Sequence, residues 1–313
     1  MMEKESLQAP LELLLVGGAV EAGIFKALHQ QTLGALELAQ NLKADRRAVW
    51  TVAEALVSLD YLERIEGNKY RLSSRAEEMF YRPDSVNYDG FAFMHSYGLI
   101  KSWIKLSQVI QSGRPARDNR STAERRYFIE AMSRRAKDGA KAIAQFCLTG
   151  LPPEARVLDI GGGPLVHARA FAALGAAVTV LDLPEVAAMA QSSLAPDENI
   201  HLVAGDFTVG LPEGPFHLAF LGSICHIYGE KENRLLFKQV SAVLVPGGRI
   251  AAVDFVRDRH PFAAVFAVNM LVNTETGGTW TWEEYVTWLT DAGFKDLELK
   301  EVSDRHIITA LRG

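Results

Sequence analysis

The chain has 313 residues, of which 48% are hydrophobic and 23% are charged, with 25 Gly and 12 Pro. This is the composition of a folded protein of about two domains, and it excludes a disordered chain, a collagen-like repeat and a coiled coil. The net charge of −5 is uneven: residues 1–149 carry 21 Lys and Arg against 18 Asp and Glu, whereas residues 150–313 carry 12 against 20, which makes the second half a poor surface for nucleic acid or anionic membrane.

The N-terminus lacks a basic region followed by an uninterrupted apolar stretch, and the apolar run of residues 13–20 is too short to cross a bilayer. Only two cysteines are present, Cys147 and Cys225, and they lie far apart in sequence. We therefore expect a reduced, cytoplasmic protein without a membrane span.

The first 112 residues are predicted to be mostly helical. Helices are expected at residues 11–28, 36–42, 45–59 and 88–110, with Asp45 as an N-cap. Short alternating segments at 61–65 and 70–72 flank a Gly-Asn pair that suits a hairpin turn. The order helix, helix, helix, hairpin is typical of a winged helix-turn-helix.

A polar linker is predicted at residues 111–118, because a glycine and a proline end the preceding helix. It divides the chain into a winged-helix-like domain of residues 1–112 and a second domain of residues 113–313. A basic helix follows at 122–148, and we interpret its charges as a solvated face.

From residue 152 onward, short apolar runs alternate with helical patterns. Strands are predicted at residues 156–160, 177–181, 200–204, 217–221, 249–255, 295–301 and 306–311. Helices are predicted at residues 165–174, 183–194, 230–244 and 281–292. The predicted fold class is therefore α/β, with a doubly wound parallel sheet.

Three consecutive glycines follow the first of these strands, in the run Val157-Leu-Asp-Ile-Gly-Gly-Gly-Pro164. Glycine lets the backbone turn tightly and approach a ligand at the edge where open α/β sheets bind cofactors. The third glycine of the dinucleotide fingerprint and the Gly-Lys-Ser/Thr of a phosphate loop are absent, so we favour an adenosine-bearing ligand without phosphates. A plain strand-helix turn is the alternative.

Acids also end the next two strands. Asp182 comes about 20 residues after the glycines, where a carboxylate accepts hydrogen bonds from ribose hydroxyls. Asp206 follows the third strand, where it could accept from an adenine amino group while Phe207 covers the ring. Each acid alone could be a helix cap or a turn residue.

Five segments carry a family resemblance. They are Leu158-Asp-Ile-Gly-Gly-Gly163, Leu181-Asp-Leu-Pro-Glu-Val186, Ala204-Gly-Asp-Phe207, Ser223-Ile-Cys-His226 and Leu244-Val-Pro-Gly-Gly-Arg249. They resemble the S-adenosylmethionine-dependent O-methyltransferases of the plant caffeic-acid and acetylserotonin type, with their bacterial natural-product relatives. The resemblance implies a class I methyltransferase sheet of seven strands, the last one antiparallel, behind a winged-helix dimerisation domain.

The resemblance also implies a site for S-adenosyl-L-methionine. The implied cofactor residues are Asp159, Gly161, Gly162, Gly163, Asp182, Leu183, Asp206, Phe207 and Ser223. The glycines would hold the methionine part, Asp182 the ribose, and Asp206 with Phe207 the adenine. No metal is expected, because no His/Asp/Glu grouping beside the acceptor site resembles a metal cage.

The general base of the family is matched by His226, and its acidic partner by Asp254. The fourth and fifth strands should be adjacent, which would bring these two residues to about one strand spacing, ~5 Å. A carboxylate there can fix the imidazole tautomer. An isolated histidine at a strand end can also be structural. Catalysis by Cys225 is not expected, because strand alternation points it away from the site.

Three departures from the family are visible. The Asp-Trp-x-Asp-Glu that usually follows the base is replaced here by Ile227-Tyr-Gly-Glu-Lys-Glu232, and a lysine four residues before the base is replaced by Gly222. The second acidic partner is replaced by Trp280, for which Glu275 is a candidate substitute.

Substrate contacts are expected from three segments. The candidates are Met94, His95, Trp103, Phe128, Met132, Asn269, Met270 and Glu275. Ordinary core packing is the alternative for these side chains, but their summed character favours a flat, apolar, aromatic acceptor.

The predicted function is methyl transfer to a hydroxyl of a small, aromatic metabolite by a homodimer that forms through residues 1–110. We expect the dimer because one subunit has too little volume to bury the apolar residues of this region. These residues are Leu11, Leu14, Leu15, Val20, Ile24, Phe25, Trp50, Val57 and Leu59. The alternatives are a cofactor-binding relative with hydroxylation, decarboxylation or pericyclic chemistry, and a DNA-binding regulator whose recognition helix would read bases with Arg46 and Arg47.

Overall fold

The computed structural model describes residues 4–116, 122–303 and 305–313, without the side chains of residues 4–9, 122, 123 and 135. Two compact units are present. One comprises Met1–Lys101 with Ser121–Ala131, and the other Ser102–Arg120 with Met132–Gly313, each within the described residues. The predicted division after residue 112 stays a prediction, and the last two residues of the predicted linker lie outside the described residues.

The first part of the chain is mainly helical. The elements are α1 (Lys4–Glu21), α2 (Ile24–Leu28), β1 (Leu33–Gly34), α3 (Ala35–Leu42), α4 (Arg46–Ser58), β2 (Leu62–Ile65), β3 (Lys69–Leu72), α5 (Ser74–Tyr81), α6 (Gly90–Trp103), α7 (Leu106–Ser112), α8 (Thr122–Lys137) and α9 (Ala140–Leu148). The three strands form an antiparallel sheet in the order β1-β3-β2. The first unit packs its own core from α1 to α5 and this sheet, with Phe25 and Tyr61 among the fully buried side chains.

Local signals explain where these elements begin and end. Asp45 caps α4 as predicted, since its carboxylate accepts from the Ala48 amide at 2.8 Å. The single helix predicted for residues 11–28 is wrong, because Gly23 adopts φ 87° and separates α1 from α2. The helix predicted for 122–148 is interrupted in the same way at Gly139, where φ is 91°.

The second unit is built on a seven-stranded sheet. Its strands are β4 (Arg156–Ile160), β5 (Ala177–Asp182), β6 (Ile200–Ala204), β7 (Phe216–Gly222), β8 (Leu244–Asp254), β9 (Phe294–Val302) and β10 (Arg305–Arg312). Its later helices are α10 (Val166–Ala172), α11 (Pro184–Gln191), α12 (Glu230–Val243), α13 (Ala263–Asn273) and α14 (Trp282–Asp291), with a 3-10 turn at Cys225–Ile227. The strand order is β6-β5-β4-β7-β8-β10-β9, and β10 runs antiparallel to both neighbours. The predicted α/β fold class and the antiparallel last strand are confirmed.

Two apolar layers cover the faces of this sheet. One face packs Leu158 and Leu221 against α12 and α14, and the other packs Val157 and Phe220 against α9 and α10. Neighbouring residues of a strand point to opposite faces, so both layers come from the same short runs. Because the core holds the strands rigidly, the loops at their carboxyl ends have fixed starting points. Within the described part of the chain, no helix is both long and apolar enough to cross a membrane.

Candidate active site

The glycine loop follows β4 at the carboxyl edge of the sheet. Gly161 has φ 73°, and a Cβ there would collide with the side chain of Ile224. A Cβ at Gly162 would collide with the carboxylate of Asp159. Both positions therefore require glycine, the first for its backbone conformation and the second for close approach.

Asp159 lies beneath this loop and is 1% exposed. Burial, reinforced by the charge of Asp182, raises the pKa of its carboxyl group to about 7. One of its oxygens, Oδ2, has no hydrogen-bond partner among the described residues. A buried acid that is partly protonated at neutral pH and directed at a glycine loop is an arrangement typical of binding sites.

Asp182 connects the glycine loop to the end of β5. Its Oδ2 accepts from the Gly163 amide at 2.8 Å, and its Oδ1 accepts from the Leu183 amide at 2.7 Å. Burial raises the pKa of this carboxyl group, and the two amide hydrogen bonds oppose that rise. Two oxygens held by backbone amides form a preorganised acceptor for hydroxyl donors.

An aromatic pair stands beside these acids. Phe207 and Tyr228 meet edge to face with ring centroids 4.8 Å apart. Burial, and then the charges of Asp206 and Asp182, raise the pKa of the Tyr228 hydroxyl, so this ring lies close to both carboxylates. Asp206 itself accepts from the amide and hydroxyl of Thr208 at 2.8 and 2.7 Å. Tyr228 was not among the predicted site residues; its position two residues after His226 was the available signal.

These features fit S-adenosyl-L-methionine. A glycine cradle that excludes Cβ atoms, an acid preorganised by two amides and an aromatic pair are the surroundings that an amino acid, a ribose and an adenine require. Leu183 is 39% exposed beside Asp182, and Ser223 is exposed with φ 63° after β7.

His226 and Asp254 are joined by two hydrogen bonds. The His226 Nδ1 lies 2.7 Å from Oδ1 of Asp254, and the His226 amide donates to Oδ2 at 3.0 Å. The two residues meet because β7 and β8 are parallel neighbours, as the sequence predicted. Since a carboxylate only accepts, Nδ1 carries the proton and Nε2 keeps its lone pair.

The 3-10 turn that carries His226 is held on several sides. Trp280 Nε1 and Asn233 Nδ2 donate to the Cys225 carbonyl at 3.0 and 2.9 Å, and the Gly278 amide donates to the His226 carbonyl at 3.0 Å. Trp280 thus contacts the backbone of the turn, at the position where the resemblance implied an acid. Glu275 is exposed.

Aromatic rings line one side of the histidine. The Phe266 ring meets the His226 ring edge to face at 4.9 Å, and Phe255 packs against Phe266 at 4.7 Å. On the same helix, α13, Asn269 Oδ1 accepts from Trp103 Nε1 at 3.1 Å, and Met270 is 7% exposed. Helix α13 was not predicted from the sequence, and neither Phe255 nor Phe266 was among the predicted site residues.

The remaining substrate candidates divide between the units. Met94 and His95 are buried in the first unit, where the His95 and Phe128 rings are 5.5 Å apart. Met132, which is half-buried, belongs to the second unit, as do Trp103 and Asn269. Their contact with a substrate stays a prediction.

Cys225 is fully buried, and burial, with a smaller contribution from Asp254, raises the pKa of its thiol well above the ordinary range. Among the described residues, no three His, Cys, Asp or Glu side chains are grouped as a metal site would require.

The seven-strand topology and the glycine loop with its flanking acids define a class I methyltransferase fold with a nucleoside cofactor site. A family model described as an O-methyltransferase domain matches residues 109–295. The chain belongs to this family, and it is an S-adenosyl-L-methionine-dependent O-methyltransferase.

Individual relatives are similar along nearly the whole chain. The tetracenomycin polyketide synthesis 8-O-methyl transferase TcmO of Streptomyces glaucescens is 27% identical, over 91% of this chain and 88% of the relative. The 3-hydroxy-5-methyl-1-naphthoate 3-O-methyltransferase of Streptomyces sahachiroi is 27% identical, over 89% and 85%. The solved structure of PigF with SAH covers 100% of both chains with a TM-score of 0.78 at 22% identity, which shows a shared fold.

Proposed function

We propose that this enzyme transfers a methyl group to a hydroxyl of a small aromatic acceptor, with His226 as general base. The observation that carries the proposal is the 2.7 Å hydrogen bond between His226 Nδ1 and Asp254. It fixes the tautomer that leaves Nε2 able to accept a proton, and the carboxylate stabilises the imidazolium that results. Bound S-adenosyl-L-methionine supplies an activated methyl group, so the tasks of the protein are to orient the acceptor and remove its proton.

The hydrogen bonds and ring contacts of the site support a cofactor role for each of these residues. Asp182 would bind the ribose hydroxyls with oxygens that two backbone amides already orient. Asp206, Phe207 and Tyr228 would surround the adenine, and Gly161 to Gly163 the methionine part. Asp159 would support the loop from beneath.

An aromatic acceptor is favoured by the rings of Phe255 and Phe266 beside His226, since aromatic pairs prefer edge-to-face or offset contacts of this kind. The names of the two Streptomyces relatives, one acting on a polyketide and one on a naphthoate, agree with this chemistry. Substrate contacts by Trp103, Met132, Asn269 and Met270 in the second unit, and by Met94, His95 and Phe128 in the first, belong to the same proposal.

We also propose that the first unit is a winged helix used for homodimerisation. Large apolar side chains remain exposed on it, including Trp50 at 51%.

The two cysteines are free and buried, which agrees with a reducing, cytoplasmic environment.

Replacing His226 tests the mechanism. In His226→Gln we expect the rate of methylation of a phenolic acceptor to fall by about two to four powers of ten, because the proton acceptor is lost. Affinity for S-adenosylhomocysteine, measured by calorimetry, should change by no more than a few-fold. His201→Gln, which alters an exposed histidine of β6, is the matched control.

Full turnover by His226→Gln would reject base catalysis and leave proximity alone as the mechanism. Product formation by the wild type without consumption of the methyl donor would instead favour the non-methylating chemistry found in some relatives.

A further inference from the structure

Arg305 begins β10 at the edge of the sheet that carries the methyltransferase site. In the antiparallel register of β10 and β8, His306 stands opposite Asp254, so Arg305 falls opposite the residue that follows Asp254. Its guanidinium lies over the ring of that residue, Phe255, with Cζ 5.7 Å from the ring centroid. The cation is therefore at the same sheet edge as the glycine loop and His226.

No carboxylate forms an ion pair with this guanidinium anywhere in the described residues. Some other arginines of the same unit are paired with carboxylates: Arg169 and Arg234 at 2.8 and 2.7 Å, and Arg257 at 3.2 Å. Arg249 and Arg312 instead donate to backbone carbonyls. Arg305 is only partly exposed. A permanently charged group that is partly withdrawn from water and has no carboxylate partner among the described residues favours an anionic ligand.

His167 lies on α10, the helix that follows the glycine loop. Burial, with the charge of Arg305 as the second cause, lowers the pKa of His167 to about 4. This imidazole is therefore neutral at pH 7 and adds no second charge.

A series of aromatic contacts links Arg305 to His226. Phe255 beneath the guanidinium packs against Phe266, which in turn packs against His226. An aromatic ligand that lies along these rings with its hydroxyl at His226 would direct its far end toward Arg305.

We propose that Arg305 binds a carboxylate of a ligand at the methyltransfer site. A guanidinium matches a carboxylate with two parallel hydrogen bonds, and the ring of Phe255 holds its plane in place. Two ligands could bring this group: the acceptor, as an aromatic acid, or S-adenosyl-L-methionine, through its amino-acid part. Binding of an acceptor carboxylate rests on the proposed function, whereas binding of the cofactor carboxylate does not.

Arg305→Gln and Arg305→Lys test the proposal, with Arg257→Gln as a matched control at a surface pair. In the cofactor arm, calorimetry compares S-adenosylhomocysteine with 5′-methylthioadenosine, which lacks the amino-acid part. In the acceptor arm, protein saturated with S-adenosylhomocysteine is titrated with 6-hydroxy-2-naphthoate and with 2-naphthol, which differ only in the carboxylate.

We expect Arg305→Gln to weaken the binding of one carboxylate ligand by about ten- to a hundredfold. The affinity for its carboxylate-free counterpart should change by no more than about twofold. Arg305→Lys should recover part of the loss, and Arg257→Gln should change nothing. The arm that responds identifies the source of the carboxylate. Equal effects on both members of each pair, or none on either, would overturn the proposal. Because these readouts are binding constants, they stand even if His226→Gln shows that base catalysis is absent.

Discussion

Asp254 is the residue on which the orientation of His226 depends. Its carboxylate accepts from the backbone and ring of His226, from the Phe255 amide at 2.8 Å and, more distantly, from the Tyr285 hydroxyl at 3.5 Å. These donors fix the carboxylate in a single direction, and it in turn fixes the imidazole. A charge so fully bound stabilises an imidazolium without needing to move.

Asp254→Asn should lower kcat by about ten- to a hundredfold, less than the loss expected for His226→Gln. The amide can still accept from Nδ1, but it provides no negative charge for the imidazolium. The measurement is the steady-state rate of methylation, with KM for the methyl donor expected to stay constant. Asp258→Asn, at an exposed carboxylate near the same strand end, is the control. An equal loss in both variants would mean that Asp254 contributes nothing specific.

Asp159 predicts a pH dependence of stability. Its pKa is about 7 in the folded chain against 3.8 for the ordinary group, chiefly because of burial. Between about pH 4 and 7 the unfolded chain has released this proton while the folded chain retains it. The free energy of unfolding therefore falls as the pH rises, by at most about 1.4 kcal/mol per pH unit. Above pH 7 the full loss is present.

Asp159→Asn removes the ionisable group and should therefore abolish this loss. We expect the variant to be more stable than the wild type at pH 8 and the difference to shrink toward pH 4. Thermal unfolding of both proteins across that range is the measurement. A difference in Tm that is constant with pH would contradict the raised pKa.

At the scale of elements, the 3-10 turn carrying His226 depends on contacts from α12 and from the segment before α14. Asn233 is fully buried and donates through Nδ2 to the carbonyls of Cys225, Tyr228 and Gly229 at 2.9 to 3.0 Å. Trp280 adds a second donor to the Cys225 carbonyl. Such contacts fix the backbone next to the base, and small errors in its position are costly to catalysis.

Trp280→Phe keeps an aromatic ring, although a smaller one, and deletes the indole donor. We expect kcat to fall by roughly three- to thirtyfold, with the affinity for S-adenosylhomocysteine unchanged, because the loss displaces the base and leaves the cofactor residues intact. The pH profile of kcat should also shift if the contact of His226 with Asp254 loosens. Trp282→Phe, two residues away, is the control. A lower Tm with unaltered kcat would reduce Trp280 to a structural role.

The sheet was largely predictable from the sequence, whereas several helices were not. Each strand from β4 to β7 is a short apolar run bounded by turn residues, which leaves little ambiguity. Helix α13 was missed because residues 263–273 are apolar on nearly all sides and show no amphipathic period. The breaks at Gly23 and Gly139 were missed because a glycine inside a helical pattern is often tolerated.

The site was predictable where strand order determines it. His226 and Asp254 end adjacent parallel strands, so their contact follows from topology alone. The roles of Trp280 and Phe266 could not be foreseen, because they depend on how a loop and a helix fold back over the sheet. Glu275, expected as a substitute acid, is exposed, while the indole N–H of Trp280 donates to the Cys225 carbonyl of the turn.

At the scale of the whole molecule, the apolar surface of the first unit bears on assembly. Ile24 and Phe25 were expected to need a partner subunit, and this is wrong for both, since they are 3% and 0% exposed in the core of their own unit. Leu11, Leu36 and Trp50 do remain exposed, at 61%, 49% and 51%. These three side chains are the positions in the first unit where we expect a partner subunit to pack.

We expect the protein to be a homodimer at micromolar concentration, measured by size-exclusion chromatography with light scattering. Obligate interfaces of this kind bury on the order of 2,000–5,000 Å². Trp50→Glu places a charge where a buried aromatic would be, and we expect it to weaken the dimer by at least about thirtyfold. Leu235→Glu, at a similarly exposed leucine of the second unit, should leave the dimer intact. A monomeric wild type would refute dimerisation. A salt-dependent shift of duplex DNA that is lost in an Arg46→Gln, Arg47→Gln double variant would assign α4 to DNA binding instead.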